Sequence, residues 1–346
     1  MKPVLMCGGV GSKMWPASRQ KSPKHFLPLV EGKSLFKINY EILRKKFGPN
    51  EIYVSTTESQ YELAKKVIPD VPDGNFFLEP ELRNTGPAIG FMAAKLYKKF
   101  ADEVFVVVQT DILRQPGEKF LEMLDKMEKI VLREKKWLTG AIRPPFLMRG
   151  VDYMVSGDKI EEGVWQLSDW LMRNKEKDIK KAMDSDKAWL HANHYAWTPR
   201  LWLESYMKYM PEWGKPLMEI AAGGDEKKIY PHIAKGSTEN WAIKSVARGE
   251  GAMIELPFTW WDFGTWESLA KYLNKEGKQK SKDLIEIDST GNFYRVPSGK
   301  FVASIGVSDV VLIDTEDAIL ICKKDQTGKV GQVVDFLKEK DRKELL

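Results

Sequence analysis

Apolar and polar residues follow two alternating periods along the first 145 residues. Short apolar runs that end in glycine or polar residues predict strands, and apolar residues three or four positions apart predict helices. The predicted strands are PVLMCGG (3–9), EIYVSTT (51–57), GNFFLEP (74–80), DEVFVVVQTD (102–111) and KWLTGAI (136–142). The predicted helices between them cover 34–47, 59–68, 86–101 and 117–133. This alternation is typical of an α/β fold with a mostly parallel sheet.

The middle of the chain, residues 146–250, is less regular and rich in tryptophan. Strand-like runs are predicted at 189–199 and 251–264, and a helix at 265–273. The segment 274–285 is polar and rich in lysine, which is typical of a linker. We therefore expect a first domain over residues 1–273.

The tail has a different texture. Short β-branched runs such as FVASIGVSDVVLIDTEDAILIC (301–322) are separated by Gly, Asp and Ser at close intervals. This pattern predicts stacked short strands, although no strict repeat period is evident. A helix is predicted at about 329–341. We expect residues 286–346 to form a small C-terminal β-helix-like module with a terminal helix.

Composition narrows the class of protein. The chain has 346 residues, 43% of them hydrophobic and 30% charged, with a net charge of +5. This describes a globular protein that can attract anionic small molecules, but the charge is too small for a nucleic-acid partner. Two cysteines, Cys7 and Cys322, make no disulfide framework, and no apolar run suits a secretory signal or a membrane span. We expect a cytoplasmic protein with no nucleic-acid or membrane partner.

Glycines and basic residues are concentrated in the stretch MCGGVGSKMWPASRQKSPKHFLPL (6–29). Glycine lets backbone N–H groups approach a ligand closely because it has no Cβ. The glycines are Gly8, Gly9 and Gly11, and the basic residues are Lys13, Arg19, Lys21 and Lys24. The spacing matches neither a Walker A loop nor the G-x-G-x-x-G dinucleotide fingerprint. We interpret the stretch as a phosphate-binding loop of another kind, the alternative being a tight turn with a solvated basic face.

Asp111 and Asp262 each follow an apolar or aromatic strand-like run. Open α/β sheets bind ligands at the carboxyl ends of their strands. Two carboxylates that converge on phosphate oxygens suit Mg²⁺, which prefers hard oxygen ligands and keeps some of its waters. The alternative for either aspartate is a turn cap.

Several ordered motifs together resemble one family. The loop reads G-G-x-G-[ST]-[KR]-x-x-P followed by S-P-K, and it is accompanied by LEPELRNTGPAIGFMAA (78–94), VVVQTD (106–111) and FTWWDFGTWESL (258–269). The chain thus resembles the sugar-nucleotide pyrophosphorylases and, among them, the mannose-1-phosphate guanylyltransferases. The tail is similar to that family's β-helix-like module. The resemblance covers most of the chain.

The resemblance implies a Rossmann-like nucleotide-diphospho-sugar transferase domain that transfers a guanylyl group from GTP to a sugar-1-phosphate and releases pyrophosphate. It implies that Lys13, Lys24, Asp111 and Asp262 are catalytic, the two aspartates holding Mg²⁺. It also implies nucleotide binding by Gly8, Gly9, Gly11, Ser12, Glu79, Arg83, Asn84 and Thr85, with the last four reading guanine. The alternative for 79–85 is a loop with a helix cap at Thr85. A β-helix-like tail in this family suggests a homodimer.

The sugar half departs from the family pattern. The segments LMRGVDYMV (147–155), LHANHYAW (190–197) and NWAIKS (240–245) differ in character from their counterparts, with an added cation and a lost carboxylate. The candidate sugar-binding residues there are Arg149, Asp152, His191, Asn193 and Ser245. Mannose-1-phosphate is the first choice of acceptor. The alternatives are a different or modified sugar-1-phosphate, such as an anionic one facing Arg149, or a catalytically inactive, regulatory nucleotide-binding homologue.

Overall fold

The structure, a computed structural model, describes residues 1–9, 11–148, 151–276, 283–297 and 299–346. The chain divides into two compact units. The sheet unit consists of Met1–Gly8, Asn39–Thr110 and Arg114–Thr259, and the loop-and-tail unit consists of Gly9–Ile38, Asp111–Leu113 and Trp260–Leu346.

The strands in chain order are β1 Lys2–Met6, β2 Pro28–Val30, β3 Lys33–Ser34, β4 Tyr53–Thr57, β5 Phe76–Glu79, β6 Phe105–Gln109, β7 Ile112–Gln115, β8 Trp137–Ile142, β9 Tyr153–Glu161, β10 Val164–Leu171, β11 Ala188–His191, β12 Ala196–Trp197, β13 Gly251–Glu255, β14 Thr259–Asp262, β15 Leu284–Ile287, β16 Phe293–Arg295, β17 Val302–Ile305, β18 Val310–Asp314 and β19 Ile319–Lys323. The helices are α1 Leu35–Arg44, α2 Glu58–Val67, α3 Thr85–Phe100, α4 Gly117–Glu134, α5 Glu176–Asp184, α6 Pro199–Tyr209, α7 Pro211–Ala221, α8 Glu226–Ile229, α9 Thr238–Val246, α10 Trp266–Lys275 and α11 Val330–Glu339.

The sheet unit is built on one large sheet. Its strand order, within the described residues, is β11-β9-β10-β13-β8-β12-β6-β1-β4-β5. Strands β5, β4, β1 and β6 are parallel in succession, and β8 is parallel to β13. This confirms the α/β fold with a parallel sheet. Strands β9 to β12 pair in antiparallel fashion, which the sequence did not indicate.

Strand β6 lies in the interior of the large sheet and is buried on both faces. Residues Phe105, Val106, Val107 and Val108 are fully buried, as the continuous apolar run predicts for a strand covered on both faces. β6 lies between β1, to which it is parallel, and β12, to which it is antiparallel.

The middle of the chain is more regular than expected, because it contains helices α5 to α9. Aromatic residues contribute to the buried faces of α6, α7 and α9. Trp202 and Tyr206, one helical turn apart on α6, lie 4.8 Å and 5.5 Å from the ring of Trp241 on α9. Trp137 of β8 lies 5.1 Å from the same ring. Part of the tryptophan-rich composition therefore serves packing of helices on the sheet, which the sequence pattern did not reveal.

The loop-and-tail unit has its own hydrophobic core. Met14 and Trp15 of the glycine-rich stretch pack in one cluster with Trp266 of α10, Phe293 of β16 and Val330 of α11. The compact units therefore divide the chain differently from the expected domains 1–273 and 286–346, which stay a prediction.

The tail confirms the expectation of a β-helix-like module. β15 pairs with β17 and β16 pairs with β18, both in parallel, with Leu284 opposite Val302 and Phe293 opposite Val311. Both registers advance 18 residues along the chain, a period that sequence reading did not find. The amide of the buried Asn292 joins successive strands, donating to the carbonyl of Val307 and accepting from the N–H of Val310.

The short elements end close to their predicted bounds. The predicted helix at 329–341 is α11, Val330–Glu339, and the strand-like run 251–264 is divided into β13 and β14. Half of the predicted linker, residues 277–282, lies outside the described residues. No helix in the described part of the chain is long and apolar enough to cross a membrane.

Candidate active site

A cavity of about 530 Å³ lies within the loop-and-tail unit. Its lining combines glycines, lysines and carboxylates, and most of these residues were singled out from the sequence. They are Gly9, Gly11, Ser12, Lys13, Lys24, Asp111, Asp262, Gly264 and Lys338. The structure therefore brings all four candidate catalytic residues to one cavity. Gly8 belongs to the sheet unit, shortly after β1.

The glycines of the loop are required by its conformation. Gly9 and Gly11 have φ angles of 72° and 80°, in the left-handed region that favours glycine. A Cβ on Gly11 would lie 2.6 Å from the Cγ and Cδ atoms of Lys24. Lys24 can therefore cross the loop only because residue 11 has no side chain.

Two groups that sequence reasoning missed support this loop. The ring Nε2 of the buried His25 donates a hydrogen bond to the carbonyl of Gly9 (3.1 Å). The indole of Trp266 donates to the carbonyl of Trp15 (2.9 Å). Each bond comes from a buried ring, so it holds one backbone carbonyl of the loop in a fixed direction. The position of His25 directly after the S-P-K motif was the available signal.

An ion pair joins the loop to the first strand-end aspartate. Lys24 Nζ lies 2.5 Å from Asp111 Oδ2. Burial favours the neutral lysine, but the charge and hydrogen bond of Asp111 outweigh it and raise the pKa of Lys24. Burial likewise opposes ionisation of Asp111, and the positive charges of Lys24 and His25 overcome it and lower the pKa of Asp111. Both groups are therefore charged at neutral pH.

The second aspartate is held in a less favourable environment. Asp262 is the last residue of β14, and the N–H of the next residue, Phe263, donates to the carbonyl of Asp111 (3.4 Å). This backbone contact brings the two carboxylates together. Burial, followed by repulsion from Asp111, raises the pKa of Asp262 to about 6, although Lys24 opposes the shift.

The donor set fits a hard divalent cation. Two neighbouring carboxylates repel each other, and this repulsion contributes, after burial, to the raised pKa of Asp262. Among the described residues, no group of three or more His, Cys, Asp or Glu side chains could hold a metal. A metal held by Asp111 and Asp262 would complete its shell with waters and ligand oxygens, as Mg²⁺ does.

The segment 79–85 lies in the sheet unit. Glu79, at the end of β5, is 6% exposed and accepts hydrogen bonds from the hydroxyl of Tyr230 (2.8 Å) and the N–H of Arg83 (3.2 Å). Burial raises the pKa of Glu79 to about 7, against these two hydrogen bonds. The carboxylate that was expected to bind guanine is thus engaged in holding its own loop.

The start of α3 is pinned to the segment before α9. The N–H of Gly86 donates to the carbonyl of Gly236 (3.0 Å), and the hydroxyl of Thr85 accepts from the N–H of Thr238 (3.0 Å). Asn84 precedes the helix with a φ of 65°. The possible helix cap at Thr85 is wrong, because Thr85 is the first helical residue and its hydroxyl serves another segment.

Two candidate sugar-binding residues have their polar groups engaged within the protein. Asp152 accepts from the N–H of Arg173 (2.8 Å) and from its guanidinium. Ser245 is fully buried, accepts from the indole of Trp137 (2.9 Å) and donates to the carbonyl of Ala242 (3.1 Å). This geometry favours a packing role for Ser245.

The other candidates differ among themselves. Asn193 is half-buried with a φ of 52°, and Arg149 lies outside the described residues. His191 forms a hydrogen bond with the hydroxyl of Thr139 (3.1 Å), and burial lowers its pKa to about 3, so it is neutral. Its Nδ1 lies 3.8 Å from a carboxylate that sequence reasoning missed, that of Glu239 on α9.

Two family models match the chain. The model described as Nucleotidyl transferase matches residues 2–137, and the model described as MannoseP isomerase/GMP-like beta-helix domain matches residues 282–337. The first part of the chain is therefore similar to nucleotidyl transferases and its tail to this β-helix domain, which supports a nucleotidyltransferase.

Within that class the chain is similar to mannose-1-phosphate guanylyltransferases, as its motifs indicated. One from Salmonella typhimurium is 28% identical over 361 residues, covering 99% of this chain and 73% of the relative. One from Klebsiella pneumoniae is 25% identical over 362 residues, covering 99% of this chain and 75% of the relative. The resemblance found in the sequence is confirmed.

A solved structure has the same fold. It is described as mannose-1-phosphate geranyltransferase from Thermus thermophilus, and it matches with a TM-score of 0.84 and 22% identity. The match covers 97% of this chain and 99% of that one.

The buried Glu79 leads to a prediction about stability and pH. Because its folded-state pKa of about 7 exceeds the ordinary 4.5, ionisation of Glu79 destabilises the fold as pH rises through about 7. We expect Glu79→Gln, which can still accept both hydrogen bonds, to raise the melting temperature above pH 7 and not near pH 5. The gain in the free energy of unfolding is at most about 3 kcal/mol.

Thermal melts of both proteins across this pH range measure the effect. Glu81→Gln, an exposed change in the same segment, is the control and should show no such trend. A pH-independent difference for Glu79→Gln would contradict the prediction.

Proposed function

We propose that this protein transfers a guanylyl group from GTP to a sugar-1-phosphate, giving a GDP-sugar and pyrophosphate. One observation carries the proposal. The glycine loop, two lysines and two carboxylates of the matched motifs line one cavity, with Lys24 and Asp111 in an ion pair. This is an arrangement for holding a polyphosphate, and the nucleotidyl transferase match supplies the reaction class.

The reaction needs two anions to be aligned. An oxygen of the sugar-1-phosphate attacks the α-phosphorus of GTP, and the bond from that phosphorus to the bridging oxygen of the pyrophosphate breaks. Backbone N–H groups at Gly9, Gly11 and Ser12 donate to the triphosphate. Lys13 and Lys24 neutralise the charge that develops on the departing pyrophosphate. Positioning and electrostatics of this kind supply most of the catalysis in such transfers.

Nucleotidyl transferases use a divalent metal, and Asp111 and Asp262 would hold it here. When bound, Mg²⁺ supplies Lewis-acid stabilisation of phosphoryl oxygens. The negative charges of the two aspartates favour binding of the cation. Lys24 lies beside Asp111 and orients its carboxylate.

We propose that Arg83, Asn84 and Thr85 form the loop that binds the base. Glu79 holds this loop in position from its buried side. The hydrogen bonds of Glu79 to Tyr230 and to the backbone of Arg83 support this division of roles. Because the hydrogen-bonded Glu79 fixes the loop, the polar groups on the exposed side of the loop are positioned to select guanine.

The proposed acceptor is a hexose-1-phosphate whose sugar ring carries no charged substituent, with mannose-1-phosphate as the first choice. The relatives' names support mannose. The neutral His191 and the carboxylate of Glu239 beside it favour hydroxyl groups over an anionic substituent. Segment 240–245 lacks a carboxylate that its counterpart in the resembled family carries. Glu239, the residue directly before this segment, supplies one.

We also propose a homodimer in the cytoplasm. The tail exposes large apolar side chains, with exposed fractions of 65% for Phe301, 65% for Ile305 and 65% for Ile321. Apolar patches of this kind mark interaction sites. Neither Cys7 nor Cys322 takes part in a disulfide within the described residues, which fits a reducing compartment. The mass in solution by light scattering decides the oligomeric state, and a monomer at all concentrations would refute the dimer.

The metal assignment predicts the behaviour of Asp262→Asn. We expect kcat/KM to fall by about two orders of magnitude or more, because one metal ligand is lost. The melting temperature at neutral pH should stay the same or rise. The raised pKa means that ionised Asp262 costs stability above about pH 6, and asparagine removes that cost.

Asp325→Asn, an exposed change in the same unit, is the matched control for charge. Steady-state assays and thermal melts of the three proteins test the prediction. Activity of Asp262→Asn close to that of the parent would remove this residue from the mechanism.

Guanine selection is tested by nucleotide-dependent melting. A ligand that binds only the folded state raises the melting temperature according to its affinity. We expect GTP to raise it more than ATP or UTP at equal concentration and with excess magnesium. Equal shifts for all three nucleotides would leave only triphosphate recognition and refute the guanylyl assignment.

Acceptor choice is tested with a panel of sugar-1-phosphates and pyrophosphate release as the readout. We expect the highest kcat/KM for mannose-1-phosphate, and about tenfold or more loss in Glu239→Gln through KM for the sugar. Glu212→Gln, an exposed change on α7, should leave the value unchanged. Preference for an anionic sugar would favour the modified-sugar alternative, and no turnover with any pair would favour a regulatory protein.

A further inference from the structure

Lys338 is the one residue of the cavity lining that comes from the terminal helix, within the described residues. It lies in the last turn of α11 and shares the cavity with Lys13, Lys24 and the glycines of the loop. The motifs of the sequence gave no reason to single it out, because it stands in a lysine-rich terminal segment.

Helix α11 lies against the loop and shares its hydrophobic core. A Cβ added to Gly331 of α11 would lie 3.6 Å from the hydroxyl of Ser12 and 4.0 Å from Cγ of Lys13. At the other end of the helix, the buried Leu337 belongs to the same core as Trp15. The helix therefore presents Lys338 at a fixed place beside the loop.

A hydrogen bond after the helix reinforces this arrangement. The indole of Trp15, which is 7% exposed, donates to the carbonyl of Leu345 (2.9 Å). The loop is thus tied to the chain on both sides of Lys338, through the packing of α11 before it and through this bond after it.

The lining can use a further cation when a triphosphate is bound. Lys24 is engaged with Asp111, and Asp262 adds a second carboxylate to the lining. A bound triphosphate adds several negative charges more. Lys13, the other lysine of the loop in this lining, is exposed.

We propose that Lys338 is a phosphate-binding residue of this site and contacts the pyrophosphate portion of the nucleoside triphosphate. This inference rests on the proposed function. The tail then does more than support the loop, since its terminal helix supplies a cation to the leaving group.

The present partner of Lys338 does not prevent this role. Lys338 Nζ lies 3.3 Å from Asp335 on the same helix, and the two side chains are 58% and 71% exposed. Exposed ion pairs of this kind contribute little and exchange partners easily. A lysine in the last turn also interacts favourably with the helix dipole, so a purely structural role is the alternative that the experiment must exclude.

Binding of inorganic pyrophosphate, measured by titration calorimetry with excess magnesium, isolates the proposed contact. We expect Lys338→Gln to raise Kd for pyrophosphate roughly five- to thirty-fold. Lys340→Gln, two residues further on and outside the cavity lining, should leave Kd unchanged. Asp335→Asn frees Lys338 from its partner and should lower Kd about two- to fivefold.

Kinetics give a second readout. Lys338→Gln should raise KM for GTP by a similar factor and leave KM for the sugar-1-phosphate unchanged, whereas a helix-stabilising role would lower the melting temperature without this selectivity. Unchanged pyrophosphate binding in Lys338→Gln, or equal weakening in Lys340→Gln, overturns the inference while the proposed function stands. If the parent protein binds pyrophosphate through Lys338 but turns over no sugar phosphate, the proposed function fails instead.

Discussion

The hydrophobic core of the loop-and-tail unit is the constraint on which the candidate site depends. Met14 and Trp15 are buried among residues from distant parts of the chain, including Phe293 and Trp266, the latter 251 positions from Trp15. A loop with glycines in left-handed conformations has little intrinsic preference for one shape. The buried tryptophans and their hydrogen bonds determine that shape, so the direction of the loop amides is set by the core.

Electrostatic strain is stored at the site that this core holds in place. Three ionisable groups, Lys24, Asp111 and Asp262, are brought together with one positive and two negative charges at neutral pH. Bringing charges out of water is costly unless partners compensate it. Burial and repulsion from Asp111 raise the pKa of Asp262, and such perturbed groups are concentrated at functional sites. The two carboxylates therefore favour the binding of a cation at this site.

In the sheet unit, by contrast, burial favours the neutral forms of two ionisable groups. Burial keeps His191 neutral, and Glu79 is held close to its point of ionisation by burial against two hydrogen bonds. Arg114, which is 1% exposed, donates to the ring of His194, and both lie against Phe120. These groups hold strands and loops in position, so polar residues in a matched motif need not touch a ligand.

The sequence by itself determined the alternating strands and helices up to β8, because their periods are local, and it determined the residue types of the loop and both aspartates. It also indicated the stacked strands of the tail. Tertiary structure alone decided that Glu79 faces Tyr230, that Glu239 faces His191, and that Lys338 reaches the cavity. Each of these contacts joins residues far apart in the chain, and α11 is placed by its packing on Trp15. Local spacing carries no information on such pairs, because only the formation of a shared core brings them together.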